Sequence, residues 1–570
     1  MVGWVARLFL APARARHVYA VAAAIGLATY LVVYGTGHLS GSSAYWTMPQ
    51  TDERMFLMGY RYFLHEPWQW PVFVSHAIDV PYTTSVAFSD SIPIWALTNK
   101  AIATVAPPWG PFSADAYLGL WHGLAYALQA CFGVACLRAL GHRSWRTGIV
   151  TALFFLAVPA WIFRYGHDAL SAHWVELWAI WLYLRTPAGT PAPRRLGIAK
   201  LGQLTVAALI TPYHPVMCLG VFLASLLRSR DAKTIAIWLP LGVGCVVIAT
   251  WFAGYFSGEG AVAQWGFAKQ STNVLSWLVP VRSGILGDGR WIANVTATDW
   301  QWEGYAYLGL GYLALLALFL PHVRSLRGVI ERHVFLFVVA LAFWLLALSN
   351  HIYVGSHEVA TYSIPSVLRW FPSQFRAPGR FVWVPMYVLI VFLLHWAFLR
   401  FSTGRRFAVL VVLVVVQLID ARGDWALQRA TTEGPRSSVL ELGAWRPLVH
   451  AHDAVFIHPT FACLTGDRTS WLSDVSTGVQ MLASERGTPI NGTYNTRTKR
   501  TCAVEERAWP SLELRPGALY VVLPQARAIA DRLETAGARC GAFDTVRVCS
   551  THATAIDAAF HAGILHASLE

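Results

Sequence analysis

Residues 51–70 read TDERMFLMGYRYFLHEPWQW, and residues 85–100 read SVAFSDSIPIWALTNK. Both belong to a polar stretch that follows the first apolar run of the chain. Two adjacent carboxylates, Asp52 and Glu53, open it. Arg54, Arg61 and an aromatic series (Phe56, Tyr60, Tyr62, Phe63, Trp68, Trp70) follow, and Asp90 closes it before Ser91-Ile92-Pro93. Neighbouring carboxylates at the start of a loop can act as a general base, hold a divalent cation, or cap a helix. Thr51-Asp52 ahead of the apolar pattern Met55, Phe56, Met58, Gly59 and Phe63 is an N-cap signal. Asp90, before Ser91 and Pro93, admits the same capping account. The segment is amphipathic and Trp-rich, a composition suited to a membrane interface.

Around this stretch the chain reads as a membrane scaffold. Of its 570 residues 55% are hydrophobic and 13% charged, with 27 Trp, against about 25% charged in a soluble domain. Apolar runs long enough for about 30 Å of hydrocarbon recur between residues 17 and 418. The net charge of +13 then needs no nucleic acid, because Lys and Arg in short inner loops fix orientation. Arg7, Arg14 and Arg16 precede the run 19–34, which is too long for a signal core and is read as an uncleaved first span.

With the N-terminus inside, basic loops near 138–146, 185–200, 228–233, 324–332 and 400–406 alternate with longer, less basic outer ones. About eleven transmembrane helices result. The apolar run 92–106 is expected to be interfacial or re-entrant, since a full crossing there would invert every later loop. A transmembrane domain thus covers 1–420, with a long first periplasmic loop at 37–115 and further outer loops at 256–304 and 350–380. Residues 421–570 are expected to form a small soluble α/β domain outside, with strands at 454–457, 518–523 and 546–548 and a helix at 525–536. Cys463, Cys502, Cys540 and Cys549 all fall there, an even set pointing to disulfides in an oxidising compartment. Cys540 and Cys549 flank a hairpin-like stretch and pair locally, leaving Cys463 for Cys502.

The polar groups cluster on the outer side. Glu176 and His395 are the notable ionisable residues within spans, but no chain of midplane charges or broken helices marks a coupled transporter. Arg164 and His167, on an outer turn, could grip a phosphate or meet lipid headgroups. Arg376 and Arg380 sit outside, against the positive-inside trend, and call for a local partner. A phosphate or pyrophosphate is one such partner, and an ion pair with Glu303 is the other. No P-loop, nucleotide fingerprint, nucleophile elbow or zincin helix occurs.

A long first outer loop opened by an acid resembles the GT-C superfamily of integral-membrane glycosyltransferases. More closely, TDERMFLMGYRYFLHEPWQW, FSDSIPI, RYGHDALSAHW, WEGYAYLGLG and QFRAPGRFVW resemble a bacterial family of polytopic proteins of that architecture with no assigned reaction. The likeness runs over nearly the whole chain. It implies that Asp52 deprotonates or orients an acceptor, that Asp90 supplies a second acid, and that the sugar donor is a membrane-borne polyprenyl phosphate. The family pattern has a proline and a histidine soon after the first acid, where this chain carries Glu53 and Phe56. A divalent cation (Mg or Mn) at Asp52 and Glu53 is left open. Arg164, His167, Glu303, Arg376 and Arg380 form the expected substrate- and phosphate-binding set. The function expected is sugar transfer to a periplasmic glycan, lipid or protein, by a protein of the bacterial inner membrane with its C-terminal domain in the periplasm. The rival readings are a lipid-linked glycan transporter and a non-catalytic membrane scaffold.

Overall fold

The computed structural model describes residues 14–561 apart from 51, 106–115, 165, 258–264, 288–296, 299, 402, 465–470, 498–500 and 544–545. Thr51, half of the expected N-cap, lies outside the described residues. The chain is mostly helical. Its principal helices begin with α1 (Ala15–Ser40), α2 (Asp52–His65), α3 (Pro93–Val105), α4 (Tyr117–Ala139), α5 (Trp145–Leu156) and α6 (Trp174–Leu184). They continue with α7 (Arg194–Ala208), α8 (Tyr213–Ser229), α9 (Ala232–Phe252), α10 (Leu310–Phe319), α11 (Val334–Ala347), α12 (Trp383–Phe401) and α13 (Phe407–Glu433). In the C-terminal part lie α14 (Leu442–His450) and α15 (Trp471–Ser484).

The chain divides into two compact units. The first takes in residues 1–39, 119–249 and 261–434, and the second residues 40–118, 250–260 and 435–570. The polar stretch after α1 therefore packs with the C-terminal residues, whereas the sequence grouped it with the transmembrane helices. The physical reason is its own apolar content: α2 buries every residue from Glu53 to Tyr60. Such a helix needs a partner on all sides, which an amphipathic helix lying on an interface does not.

In the first unit, each segment expected to cross the membrane contains a helix. Among the described residues only four helices, however, are both long and apolar enough to cross: α1, α4, α9 and Pro378–Phe401. Local sequence explains three of the others. The run after α5 breaks at Ala157-Val158 and restarts with Pro159 at the first position of a short helix. The run from Tyr305 becomes helical only at Leu310, after Gly309 at φ 94°. The 27-residue α13 carries Asp420, Arg422 and Asp424 along its length. Asp420 is satisfied by tertiary contact, accepting from the Tyr307 hydroxyl and the Leu310 N–H at 2.9 Å each and from Ser283. It thereby caps the N-terminus of α10 from another helix.

In the second unit the C-terminal residues form a four-stranded sheet. Two short hairpins precede it in the chain, β1 (Val74–Ser75) with β2 (Thr84–Ser85) and β3 (His351–Val354) with β4 (His357–Thr361), the latter in the first unit. The sheet itself comprises β5 (Ala454–His458), β6 (Ala518–Val522), β7 (Arg539–Phe543) and β8 (Val546–Ser550), in the order β5-β6-β8-β7. Only the β5–β6 pair is parallel. Central β6, ALYVV, is buried throughout, as a strand covered on both faces must be. The strand β7, RCGAF, was missed from sequence because Gly541 and Ala542 give it no alternating apolar pattern. Cys540 and Cys549 face each other across β7 and β8 and form one disulfide, and Cys463 and Cys502 form the other.

Candidate functional site

In the second unit the site is built from the start of α2. Glu53 Oε2 accepts from the Gln50 N–H at 2.9 Å, reaching back over the first turn as a capping carboxylate does. Both Glu53 oxygens also accept from the Arg436 guanidinium, whose Nη2 is 3.1 Å from Oε1, and Arg436 lies 4.5 Å from the Tyr45 ring. Arg54 turns the other way. It donates to the Pro49 carbonyl at 2.7 Å, to Asp474 Oδ1 at 2.9 Å and to Thr477 Oγ1 at 2.5 Å on α15. Two of the three consecutive charges thus hold the helix in place. Asp52, half-buried, accepts through Oδ1 from the Tyr494 hydroxyl.

The second acid sits on a neighbouring turn. Residues Val86–Ser89 form a short 3-10 helix that ends at Asp90, in the left-handed region at φ 55°. The turn lies against α2 because residue 59 is glycine: a Cβ there would fall well inside van der Waals contact with Ser89 Oγ. Ser91 Oγ donates to the Phe56 carbonyl at 2.9 Å and pins the turn to α2. Asp90 thus closes the turn before it, and Pro93 opens α3 at the position where a missing N–H costs nothing. At the far end of α2, Lys100 Nζ donates to the Phe63 and Glu66 carbonyls at 2.7 Å each. Both ends of the helix are therefore tied down.

In the first unit, Glu303 gathers two of the outward arginines. Arg380 binds it in a fork, Nε to Oε2 at 3.0 Å and Nη2 to Oε1 at 2.7 Å. Arg164 adds Nη1 to Oε2 at 2.9 Å and Nη2 to the Glu303 carbonyl at 2.5 Å. Backbone proximity makes this possible, since a Cβ on Gly379 would come within 2.5 Å of Gly304 Cα. Burial alone would raise the Glu303 carboxyl, but Arg380 and Arg164 outweigh it and hold Glu303 well below the usual carboxylate range. Burial brings Arg164 down to about 10, against the opposing pull of Glu303. The ion-pair account of Arg380 is the one realised, and Arg164 joins it. Arg376 is half-buried, and its side chain has no ion-pair partner among the described residues. His167 lies 6.0 Å from the Trp302 ring.

The model of a family described as a domain of unknown function, DUF6311, matches residues 23–422, and that of its C-terminal domain matches residues 444–551. The chain belongs to the DUF6311 family. No curated protein sequence matches this DUF6311 chain. Among solved structures, its fold is similar to that of the arabinofuranosyltransferase AftD from Mycobacteria, with a TM-score of 0.52 and 15% identity. That alignment covers 95% of this chain and 40% of AftD, so the DUF6311 chain spans two fifths of the larger protein's length. The oligosaccharyltransferase of Archaeoglobus fulgidus in its apo form aligns with a TM-score of 0.44 and 12% identity, over 88% of this chain and 69% of that one. The fold is GT-C-like, as the motifs implied.

The expected site residues of the DUF6311 chain therefore separate. Asp52, Glu53 and Asp90 fall in the second unit, and Arg164, His167, Glu303, Arg376 and Arg380 in the first. Of the two carboxylates expected to hold a divalent cation, Glu53 has both oxygens engaged by Arg436 and serves the helix instead. Sequence reasoning missed Tyr494, Arg436 and Asp474, which lie some four hundred residues from α2 and carry no local signal. It also missed two buried pairs in the first unit. Glu176 Oε1 meets His214 Nδ1 at 2.5 Å. His122 Nε2 and Asp168 Oδ1 lie 2.5 Å apart, off hydrogen-bond alignment.

Proposed function

We propose that the chain is a membrane glycosyltransferase that moves a sugar from a polyprenyl-phosphate donor to a periplasmic glycan, lipid or protein. The observation that carries this is the half-buried carboxylate of Asp52 at the first turn of the helix after α1, in a GT-C-like fold, where both neighbouring charges serve to hold the helix. Asp52 takes the proton of the acceptor hydroxyl as its oxygen attacks the anomeric carbon, and the bond from that carbon to the lipid phosphate breaks. Asp90 is the second acid, acting on the acceptor. The departing phosphate needs cationic stabilisation. Arg376 is the first choice for it, and the Arg164–Glu303–Arg380 cluster, two cations on one anion, with His167 nearby, is the second. A cation at Asp52 is not used. The protein would lie in the bacterial inner membrane with about eleven crossings, its N-terminus cytoplasmic and residues 421–570 periplasmic. Most of its expected crossings would then be helices too short to span by themselves.

The test is mass spectrometry of lipid-linked sugars and surface glycans in cells with the chain, without it, and with Asp52→Asn. Loss of the chain is expected to accumulate one lipid-linked sugar. D52N, inserted at wild-type level, is expected to reproduce that accumulation with a loss of transfer of roughly a hundredfold or more. Wild-type glycans in the D52N strain would end this assignment. A transporter would instead move labelled lipid in liposomes without changing its mass.

A further inference from the structure

Residues 494–497 touch the elements that carry both acids. The Tyr494 hydroxyl donates to Asp52, and its backbone N–H donates to Gln480 Oε1 at 2.8 Å. Its ring stands 4.3 Å from that of Phe461, so the phenol is held from its backbone, its face and its tip. Two residues on, the N–H and hydroxyl of Thr496 donate to the Phe88 carbonyl at 2.8 and 2.7 Å. Arg497 lies 5.9 Å from the Phe88 ring. Phe88 precedes Asp90 by two residues on the same turn. The strand–helix framework behind the segment is rigid as well, with Asn491 bonding the β5 backbone at Ile457 through both ends of its amide, at 2.8 and 2.9 Å.

A carboxylate at the first turn of a helix has two torsions, and a single fixed donor on one oxygen is enough to select its rotamer and the plane of its oxygens. The α2 backbone beneath Asp52 cannot follow the side chain, because Arg54 is tied to Asp474 and Thr477 and Glu53 to Arg436. We infer that Tyr494 is a positioning residue for Asp52. Residues 494–497 are then part of the candidate active site. The inference rests on Asp52 being the base of the proposed transfer.

The full chain is purified and assayed on washed membranes of cells lacking it, which hold donor and acceptor together. Tyr494→Phe removes the hydroxyl and keeps the ring against Phe461. It is expected to lower kcat by about tenfold or more, the effect of one hydrogen bond to a charged group, with KM within about twofold. On an Asp52→Glu background, where the extra methylene is expected to move the carboxylate off the phenol, Y494F is expected to cost less than about twofold. Wild-type kcat in Y494F, with D52N inactive, overturns the inference and leaves the proposed function standing. Full activity of D52N overturns the function itself. If Y494F melts lower, the D52E background decides: an equal fold-loss in both backgrounds makes Tyr494 merely structural and overturns the inference.

Discussion

The two units treat their charges in opposite ways. In the first, Glu303 closes on Arg164 and Arg380, and side chains 1%, 5% and 11% exposed satisfy one another. In the second, Glu53 and Arg54 take ion-pair partners from the C-terminal residues, while the half-buried Asp52 beside them accepts from the Tyr494 phenol. A buried charge must be paired or it costs several kcal/mol. A cluster that already pairs internally is therefore first of all a structural device, and a catalytic carboxylate is better sought where ion pairs hold its neighbours.

Three substitutions sharpen or break this comparison. The largest effect is expected at Glu303. Glu303→Gln leaves two buried guanidinium groups without their anion and should destabilise the chain by about 3–5 kcal/mol. Hydrogen exchange should rise in peptides around 300–310 and 376–384, and a rise confined to α2 would break the comparison. The pH dependence has a definite sign. The carboxyl of Glu303 is lowered in the folded protein, so its stabilisation is complete above the ordinary carboxyl range and is lost as pH falls through the lowered folded value. The wild-type advantage over E303Q should therefore shrink in acid.

Glu53→Gln comes next. Its charge-assisted bonds to Arg436 are buried, and their loss should cost about 1.5–3 kcal/mol, read as faster exchange in α2. A silent E53Q would mean that the start of α2 is held by Arg54 and not by the pair. The smallest stability effect is expected at Arg376. Arg376→Ala should change stability by less than about 0.5 kcal/mol and yet slow transfer by roughly tenfold or more. If R376A melts lower than E303Q, the arginine is structural and its phosphate role falls.

How much was legible beforehand follows from the range of each interaction. The positions of the helices, both disulfide pairings and most of the sheet are local or nearly so, and apolar periodicity, Pro and Gly breaks and cysteine spacing announced them. Helix length was less legible. Pro159 and Gly309 shorten helices inside continuous apolar runs, and hydropathy does not register where a backbone stops. The sequence admits two partners for Arg380, a phosphate or Glu303, because an outward arginine needs an anion and sequence does not say which. The engagement of Glu53 by Arg436 spans 383 residues and had no signal.

By itself, the sequence determined that this is an apolar helical chain with an acid-led loop and a disulfide-bearing α/β end. Composition and short-range pattern are enough for that, since burial of apolar surface and backbone hydrogen bonding act on neighbouring residues. Only the tertiary structure decided that this loop packs with residues 435–570, that Glu53 and Arg54 are anchors, and that Asp52 is met by Tyr494. Those outcomes depend on which side chains the fold brings within 3 Å of each other, and charge pairing at that distance is blind to separation along the chain.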